Sequence, residues 1–506
     1  MAGMKPGRGG GSTLGTLAIG LAALAMLRGT GLAQEAAAPP AGQEADPLYR
    51  FIERYAAPKD ERKAKGAIGQ YRVALKQTIR TVTDNPRGAP NREERVRQAI
   101  YSERPAEISS IDSTQVISLV RHYESFRTTP DLRSKPSDPW PMDGLTIWYS
   151  AQPGDFPKIL NLTPGRELRD QEYTFAAEQV FLPDLAAALP SPLPARRGDT
   201  YRVAKEGVVA LIGTAVDEGG FEGKLLEVRD DPKAGKRVAV FDVHGRVVTE
   251  AGGDVNLNAR IEFAFDPPPR GGESREPAAA KSEAKVQEQP VEVFGGVTKV
   301  LMRNVETAGL AGPNNRGRRR IDRQLILERQ LVTEGPALVI PDPVPAETPE
   351  NSWLTSIDPQ KRFHFRHPQG LRIQRSPPGQ VILGDSPSER EGRQVVLFYE
   401  EKSQKQPDDV FRKIFEGVRT ARRAGLAPGA YQTLNWPGVR VLRKDAALKA
   451  GAAGGTTTQL DAYVIQFARD ATLIAEATCP KERAVPFRKD VEEMLKSFQV
   501  GPPRGN

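Results

Sequence analysis

The chain has 506 residues, 38% of them apolar, and a formal net charge of +8 spread along its length. That length exceeds one ordinary core and points to two or three domains, while the diffuse charge names no polyanion partner. A single cysteine, Cys479, excludes an intramolecular disulfide and a cysteine-based zinc site, and its position far from the leading apolar stretch excludes a bacterial lipoprotein.

In chain order, Lys5 and Arg8 form a basic opening, Leu14–Leu27 is an apolar run, and Gly31-Leu32-Ala33 offers small residues to a signal peptidase. Residues 1–33 are therefore expected to be a signal peptide cleaved before Gln34, with a retained anchor as the alternative. The apolar run falls short of the ~20 residues that cross a bilayer. No later stretch is apolar enough to span, so the mature protein is expected to be exported to the periplasm or cell surface and not to be integral in a membrane.

Residues 34–47 read as a flexible lead, and Leu48, Phe51, Ile52 and Tyr55 suggest a short helix within 48–65. From Gly69 the period changes to two: Tyr71, Val73, Leu75, Gln77 and Ile79 alternate with Arg72, Ala74, Lys76, Thr78 and Arg80, as in a strand with one wet face. Val96–Tyr101 and Val116–Phe126 look extended. A helix is expected within 175–189, ended by Pro190, Pro192 and Pro194. Short β-branched runs follow at Tyr201–Val203, Val208–Thr214, Gly223–Val228, Val238–Val243 and Val247–Thr249. The clearest strand is Leu257–Asp266, and β-signal resumes at Val291–Val305 and Ile321–Val332. Between them 267–290 is charged, Pro/Ala-rich and without an apolar period, as expected of a disordered insertion. Residues 335–351 carry five prolines and read as a stiff linker and domain boundary.

Beyond it, 352–500 has a different pattern. Extended segments alternate with a helix at Asp408–Arg423 and another at Phe487–Phe498, a hairpin turns at Arg469-Asp470, and 501–506 is a tail. The expected fold is multi-domain. A large antiparallel β domain over 48–334, a curved sheet or half-barrel with a helix, is joined to an α+β sandwich domain over 352–500.

Two resemblances accompany this reading. Phe363-His-Phe365-Arg-His-Pro368, the strand Leu473–Cys479 and the ending Lys496-Ser497-Phe498 resemble the PsbP-like fold of small exported bacterial proteins, which implies a binding or scaffolding role without shared catalytic residues. The strand run 201–266, the helix ahead of it and Arg196–Tyr201 loosely resemble the LolA-type half-barrels of envelope carriers, which implies a curved sheet cupping a helix-plugged apolar groove. The insertion at 267–290 departs from a compact carrier.

Chemistry-bearing motifs are sparse. The four histidines are His122, His244, His364 and His367. On a strand, residues three apart face opposite ways, so His364 and His367 cannot chelate one ion. His244-Gly245 reads as a hairpin tip. No nucleophile elbow and no phosphate-binding loop occurs, so no catalytic, cofactor or metal residue is assigned and no cofactor is expected. Cys479 shares parity with Leu473, Ala475 and Ala477 and reads as buried. Asn161-Leu162-Thr163 is a glycosylation sequon, relevant only in a eukaryotic secretory pathway. The one charge concentration is 316–329, where Arg316, Arg318, Arg319, Arg320 and Arg323 suggest contact with an anionic surface, against the alternative of a solvated loop. Export and the lack of interleaved aromatics argue against nucleic acid. The expectation is a non-enzymatic envelope protein that binds a lipid-like ligand or a partner protein. The alternatives are an envelope hydrolase using carboxylates and a cell-surface scaffold on an anionic polymer.

Overall fold

The computed structural model describes residues 47–501 apart from 54–68, 85–87, 109–115, 130–141, 151–156, 178–181, 191–192, 233, 268–288, 310–316, 333–336, 386–391, 403–404, 423–424, 450–456 and 468–470. Residues 1–33, expected to be a signal peptide, nearly all of the lead and of the insertion at 267–290, Arg316 and most of the tail lie outside the described residues.

The first half builds one twelve-stranded sheet. Its strands are β1 (Tyr49–Glu53), β2 (Gln70–Thr83), β3 (Asn91–Ile108), β4 (Val116–Thr129), β5 (Thr146–Ser150) and β6 (Lys158–Asn161). After β7 (Leu168–Arg169), which belongs to another sheet, come helix α1 (Asp170–Ala177), β8 (Thr200–Arg202), helix α2 (Lys205–Ile212), β9 (Val216–Asp231), β10 (Lys236–Thr249), β11 (Asp254–Phe265), β12 (Val291–Gly309) and β13 (Arg318–Val332). The order is β6-β5-β4-β3-β2-β13-β12-β11-β10-β9-β8, antiparallel throughout. β1 is the exception: it pairs parallel with β12 at Tyr49↔Val291 to Glu53↔Gly295, beyond the stretch of β12 that β13 occupies. The sheet is open, with β6 and β8 at its ends.

Alternation decides which face is buried. In β11, Val255, Leu257, Ala259, Ile261, Phe263 and Phe265 are buried while Asn256, Asn258 and Arg260 are exposed. The same phase runs across β10, β12, β13 and β2 and gives one apolar inner face and one charged outer face.

Three local expectations are corrected. Residues 49–53 form a strand, not a helix, because Tyr49 and Phe51 alternate into the core. Val208–Thr214 is not a strand: Val208 and Leu211 share the buried side of α2, and Gly213, at φ 74°, closes it by donating to the Val209 carbonyl. His244-Gly245 lies inside β10, not at a turn. Gly245 has φ 154° and a Cβ there would stand 2.4 Å from the Gly220 carbonyl oxygen, so the position takes glycine. In the stretch where a helix is expected over 175–189, α1 covers the residues to Ala177 and Leu182–Ala188 is a 3-10 turn, while 178–181 lie outside the described residues.

The linker packs against the sheet. Leu338 and Ile340 cover Val120, Trp148 and Leu160 on the outer face, Arg104 donates to the Leu338 carbonyl at 2.9 Å, and the Leu338 amide donates to Gln70 at 2.7 Å. After the short helix α3 (Pro349–Ser352), β14 (Trp353–Ile357) pairs antiparallel with β15 (Phe363–Pro368) and parallel with β7 from the first half.

The remaining strands form an eight-stranded sheet: β16 (Leu371–Arg375), β17 (Gln380–Asp385), β18 (Gln394–Glu400), β19 (Gly425–Pro428), β20 (Gln432–Trp436), β21 (Val439–Lys449), β22 (Thr458–Phe467) and β23 (Ala471–Pro480). Helix α4 (Pro407–Arg422) packs Val410, Phe411 and Ile414 on one face of it. Helix α5 (Ala484–Lys496) packs Phe487, Val491 and Met494 on the other, and β24 (Gln499–Val500) returns to pair with β15.

Candidate ligand-binding face

The inner face of the first sheet carries its aromatics together. Phe51 meets Phe241 edge-on at 5.0 Å and Phe263 at 5.6 Å, and Tyr49 lies 6.0 Å from Phe265. Over them lies a thin cover of small and aliphatic residues. The 3-10 turn and the leucine just after it contribute Leu185, Ala188 and Leu189, and α2 contributes Val208 and Leu211, all buried. The two pieces of cover meet at Gly207, where a Cβ would fall 2.3 Å from the Ala187 carbonyl oxygen. Tyr201 ties the cover down: its hydroxyl donates to the Ala188 carbonyl at 3.0 Å, and its ring crosses Gly223, the residue that leaves room for it. Burial raises the Tyr201 pKa, so the hydroxyl keeps its proton as a donor.

The same face carries buried charge between β2, β3, β4 and β13. Arg121 and Glu103, directly opposite in register, form an ion pair at 3.2 Å with both side chains at most 1% exposed. The Arg121 guanidinium lies 4.4 Å from the Tyr101 ring centroid and 5.3 Å from that of Tyr149. Arg329 reaches Glu103 at 3.7 Å and stacks 3.7 Å from the Tyr71 centroid. Burial dominates here and holds the Tyr101 and Tyr123 hydroxyls protonated. Of these charged residues only Arg329 stands out in the sequence, as the end of the basic run 316–329 and not as a buried partner of Glu103. The signal that could have found them is phase: Arg121 shares parity with Leu119 and Tyr123, and Glu103 with Ala99 and Tyr101, so charge stands where the apolar face should be.

The arginine run divides. Strand alternation sends Arg318 and Arg320 to one face of β13 and Arg319 and Arg323 to the other. Arg323 pairs with Glu306 at 2.7 Å, and on the outer face Asp322 holds Arg303 at 2.6 Å. The arginines that read as one cluster in sequence therefore present two separate surfaces. Beside β8 lies a shallow hollow of about 390 Å³ lined by Thr200, Tyr201, Arg202, Gly220, Phe221 and Glu222.

Histidines and carboxylates do not converge. His122 bonds Thr146 at 2.9 Å, His244 faces Asp242 at 3.5 Å, His364 bonds the Gly501 carbonyl at 3.0 Å, and His367 bonds Ser356 at 2.9 Å. Among the described residues no group of three or more His, Cys, Asp or Glu could hold a metal. Burial raises the pKa of Asp461, Glu476 and Asp490. Asp461 lies on the α5 side of its sheet in a two-bond pair with Arg488, whereas Glu476 belongs by alternation to the α4 side. Asp490 is acted on by Arg393 and Lys489 and not by another acid. Burial pushes the Cys479 thiol up to about 11. Asn161 is buried, donating to the Arg166 carbonyl and accepting from the Thr163 amide, so the folded sequon presents no free acceptor.

No protein-family profile matches the chain, and no curated protein does. Among solved structures, the Ran-binding protein Mog1p of Saccharomyces cerevisiae aligns at 12% identity over 30% of this chain and 96% of that one, with a TM-score of 0.24. Cyanobacterial PsbP from Synechocystis aligns at 14% identity over 29% and 92%, also at 0.24. A LolA superfamily protein from Nitrosomonas europaea aligns at 10% identity over 52% and 87%, at 0.12. Among the described residues no helix is long and apolar enough to cross a membrane.

Proposed function

We propose that the protein is an exported, non-enzymatic envelope protein that binds an apolar, lipid-like ligand on the inner face of its first sheet by displacing the cover. The observation that carries this reading is the division of labour there. The sheet supplies the aromatic surface, and the cover supplies four aliphatic side chains, Leu185, Leu189, Val208 and Leu211, on two short pieces that lean on each other at Gly207. At about 1.5–3 kcal/mol for each buried side chain, lifting the cover costs on the order of 10 kcal/mol. An acyl chain recovers ~0.8 kcal/mol per buried methylene, so roughly a dozen methylenes balance the loss and about ten more, as a two-chain lipid supplies, bring the affinity to micromolar. The separation of the raised carboxylates does not favour the hydrolase alternative, and the divided arginines do not favour a polymer scaffold.

Delipidated protein titrated with a fluorescent two-chain lipid is expected to bind it saturably at micromolar concentration. Gly207→Ala, which forces α2 off the 3-10 turn, is expected to bind several-fold more tightly because its cover begins partly displaced. Absence of saturable binding at micromolar concentrations refutes the reading, and an unchanged affinity in Gly207→Ala refutes the role of the cover. Export is checked by the amino terminus of protein from the envelope fraction, expected at Gln34; an intact Met1 on cytosolic protein counts against it.

A further inference from the structure

The ring of His367 is fully buried where the first half of the chain meets the second. Its Nδ1 lies 3.1 Å from the Pro368 carbonyl oxygen, which can only accept, so Nδ1 carries the proton. The lone pair is then on Nε2, and Ser356, 2.9 Å away on β14, donates to it. On its other side β14 holds β7 in a parallel ladder, Leu354↔Leu168 and Thr355↔Arg169. From β7 the chain runs straight into α1, whose first residue, Asp170, places Oδ1 4.0 Å from the same Nε2. Arg372 on β16 closes the group: it lies 3.5 Å from Asp170, bonds Thr174 at 2.6 Å and stacks 4.4 Å from the Tyr173 centroid. One neutral imidazole thus sits among elements from both halves.

We propose that His367 is an acid-released latch: while its ring is neutral it holds β14 and β16 against β7 and α1, and protonation loosens that junction. A proton on Nε2 removes the acceptor that Ser356 uses and places a full charge on a ring that no solvent reaches from the surface. The charged groups that face the ring are Asp170 from α1 and Arg372 from β16. Asp170 and the backbone carbonyls favour the proton, but Asp170 is already engaged by Arg372, which opposes it. Burial is the largest influence and keeps the ring below its ordinary 6.5. The sign follows. The folded form binds the proton less readily than the open form, so the junction is fully held above about pH 6.5 and weakens as pH falls below it, by up to about tenfold in the opening equilibrium per pH unit until the folded pKa is reached.

Amide hydrogen exchange on the full-length protein tests this, with opening constants corrected for the chemical rate at pH 7.5 and 5.5. Opening of Trp353–Ile357 and Leu168–Ala177 is expected to rise up to about tenfold at the lower pH. No such rise is expected in His367→Gln, while His364→Gln should behave as the parent does. A pH-independent junction, the same rise in His367→Gln, or an equal rise across every strand of the first sheet overturns the proposal. Should His367→Gln not fold, the C2–H resonance of His367 in the parent decides: a titration midpoint below 6.5 supports the latch, and one at or above 6.5 refutes it.

Discussion

The two large sheets solve the problem of a buried face in opposite ways. Among the described residues the twelve-stranded sheet is covered by helix on one face only, and its other face meets water through residues such as Asn256, Asn258 and Arg260. The eight-stranded sheet lies between α4 and α5, and β22 is buried without a break from Gln459 to Ile465. A sheet enclosed on both faces has nowhere to admit a ligand without losing a whole helix. On the proposed function, a one-sided sheet under short segments exchanges its cover for another apolar body at a cost of about 10 kcal/mol. The difference places adaptability in the first half and rigidity in the second.

The sharpest way to break this contrast is Arg121→Ala. If the inner face of the first sheet depends on its buried ion pair, leaving Glu103 without that partner should cost about 3–5 kcal/mol in urea unfolding. A cost below about 1 kcal/mol would mean that water reaches the pair. Leu354→Ala comes next. Leu354 belongs to β14 by sequence but is buried in the core of the first sheet, so its truncation should cost about 2–5 kcal/mol and separate one unfolding transition into two. A single undivided transition in the variant would show that the halves are coupled elsewhere. The smallest effect is expected from Glu476→Gln. Burial raises the Glu476 pKa, so at pH 7 its charge weakens the folded state, and the variant should be more stable by less than about 1 kcal/mol. That advantage should shrink as pH falls through the raised folded pKa and the parent carboxylate protonates. A constant difference between pH 7 and 4 would refute it.

Much of the first sheet was legible because one wet face writes a period of two into the chain. Leu257–Asp266 and Tyr71–Arg80 gave nearly the strands observed, and α4 and α5 announced themselves by an apolar stripe. What misled was short. Val208 and Val209 favoured a strand by type, yet Val208 and Leu211 lie three apart and share one side of a helix. Leu48, Phe51, Ile52 and Tyr55 fit a helix, while Tyr49 and Phe51 fit the strand that formed. Parallel pairing of β1 with β12, and of β7 with β14, leaves no local signal because the partners are remote in sequence. The site was less legible than the fold. The cover required knowing which apolar segments meet, and the Arg121–Glu103 pair required reading charge against phase. Cys479, by contrast, could be read from parity alone.

The parallel docking of β1 carries a consequence for the newborn chain. Arg50 and Glu292, which pair across this ladder, stand 242 positions apart. At the 5–20 residues per second of protein synthesis, β1 waits roughly 12–50 s for its partner strand to be made. Until Phe241, Phe263 and Phe265 are made, Tyr49 and Phe51 have no partner rings on the sheet to enter, and once β12 is made, the berth beside Val291–Gly295 stays empty until they arrive. Any other extended apolar segment can occupy that berth first, so a chaperone that shelters the early strand would govern how much of the protein matures correctly.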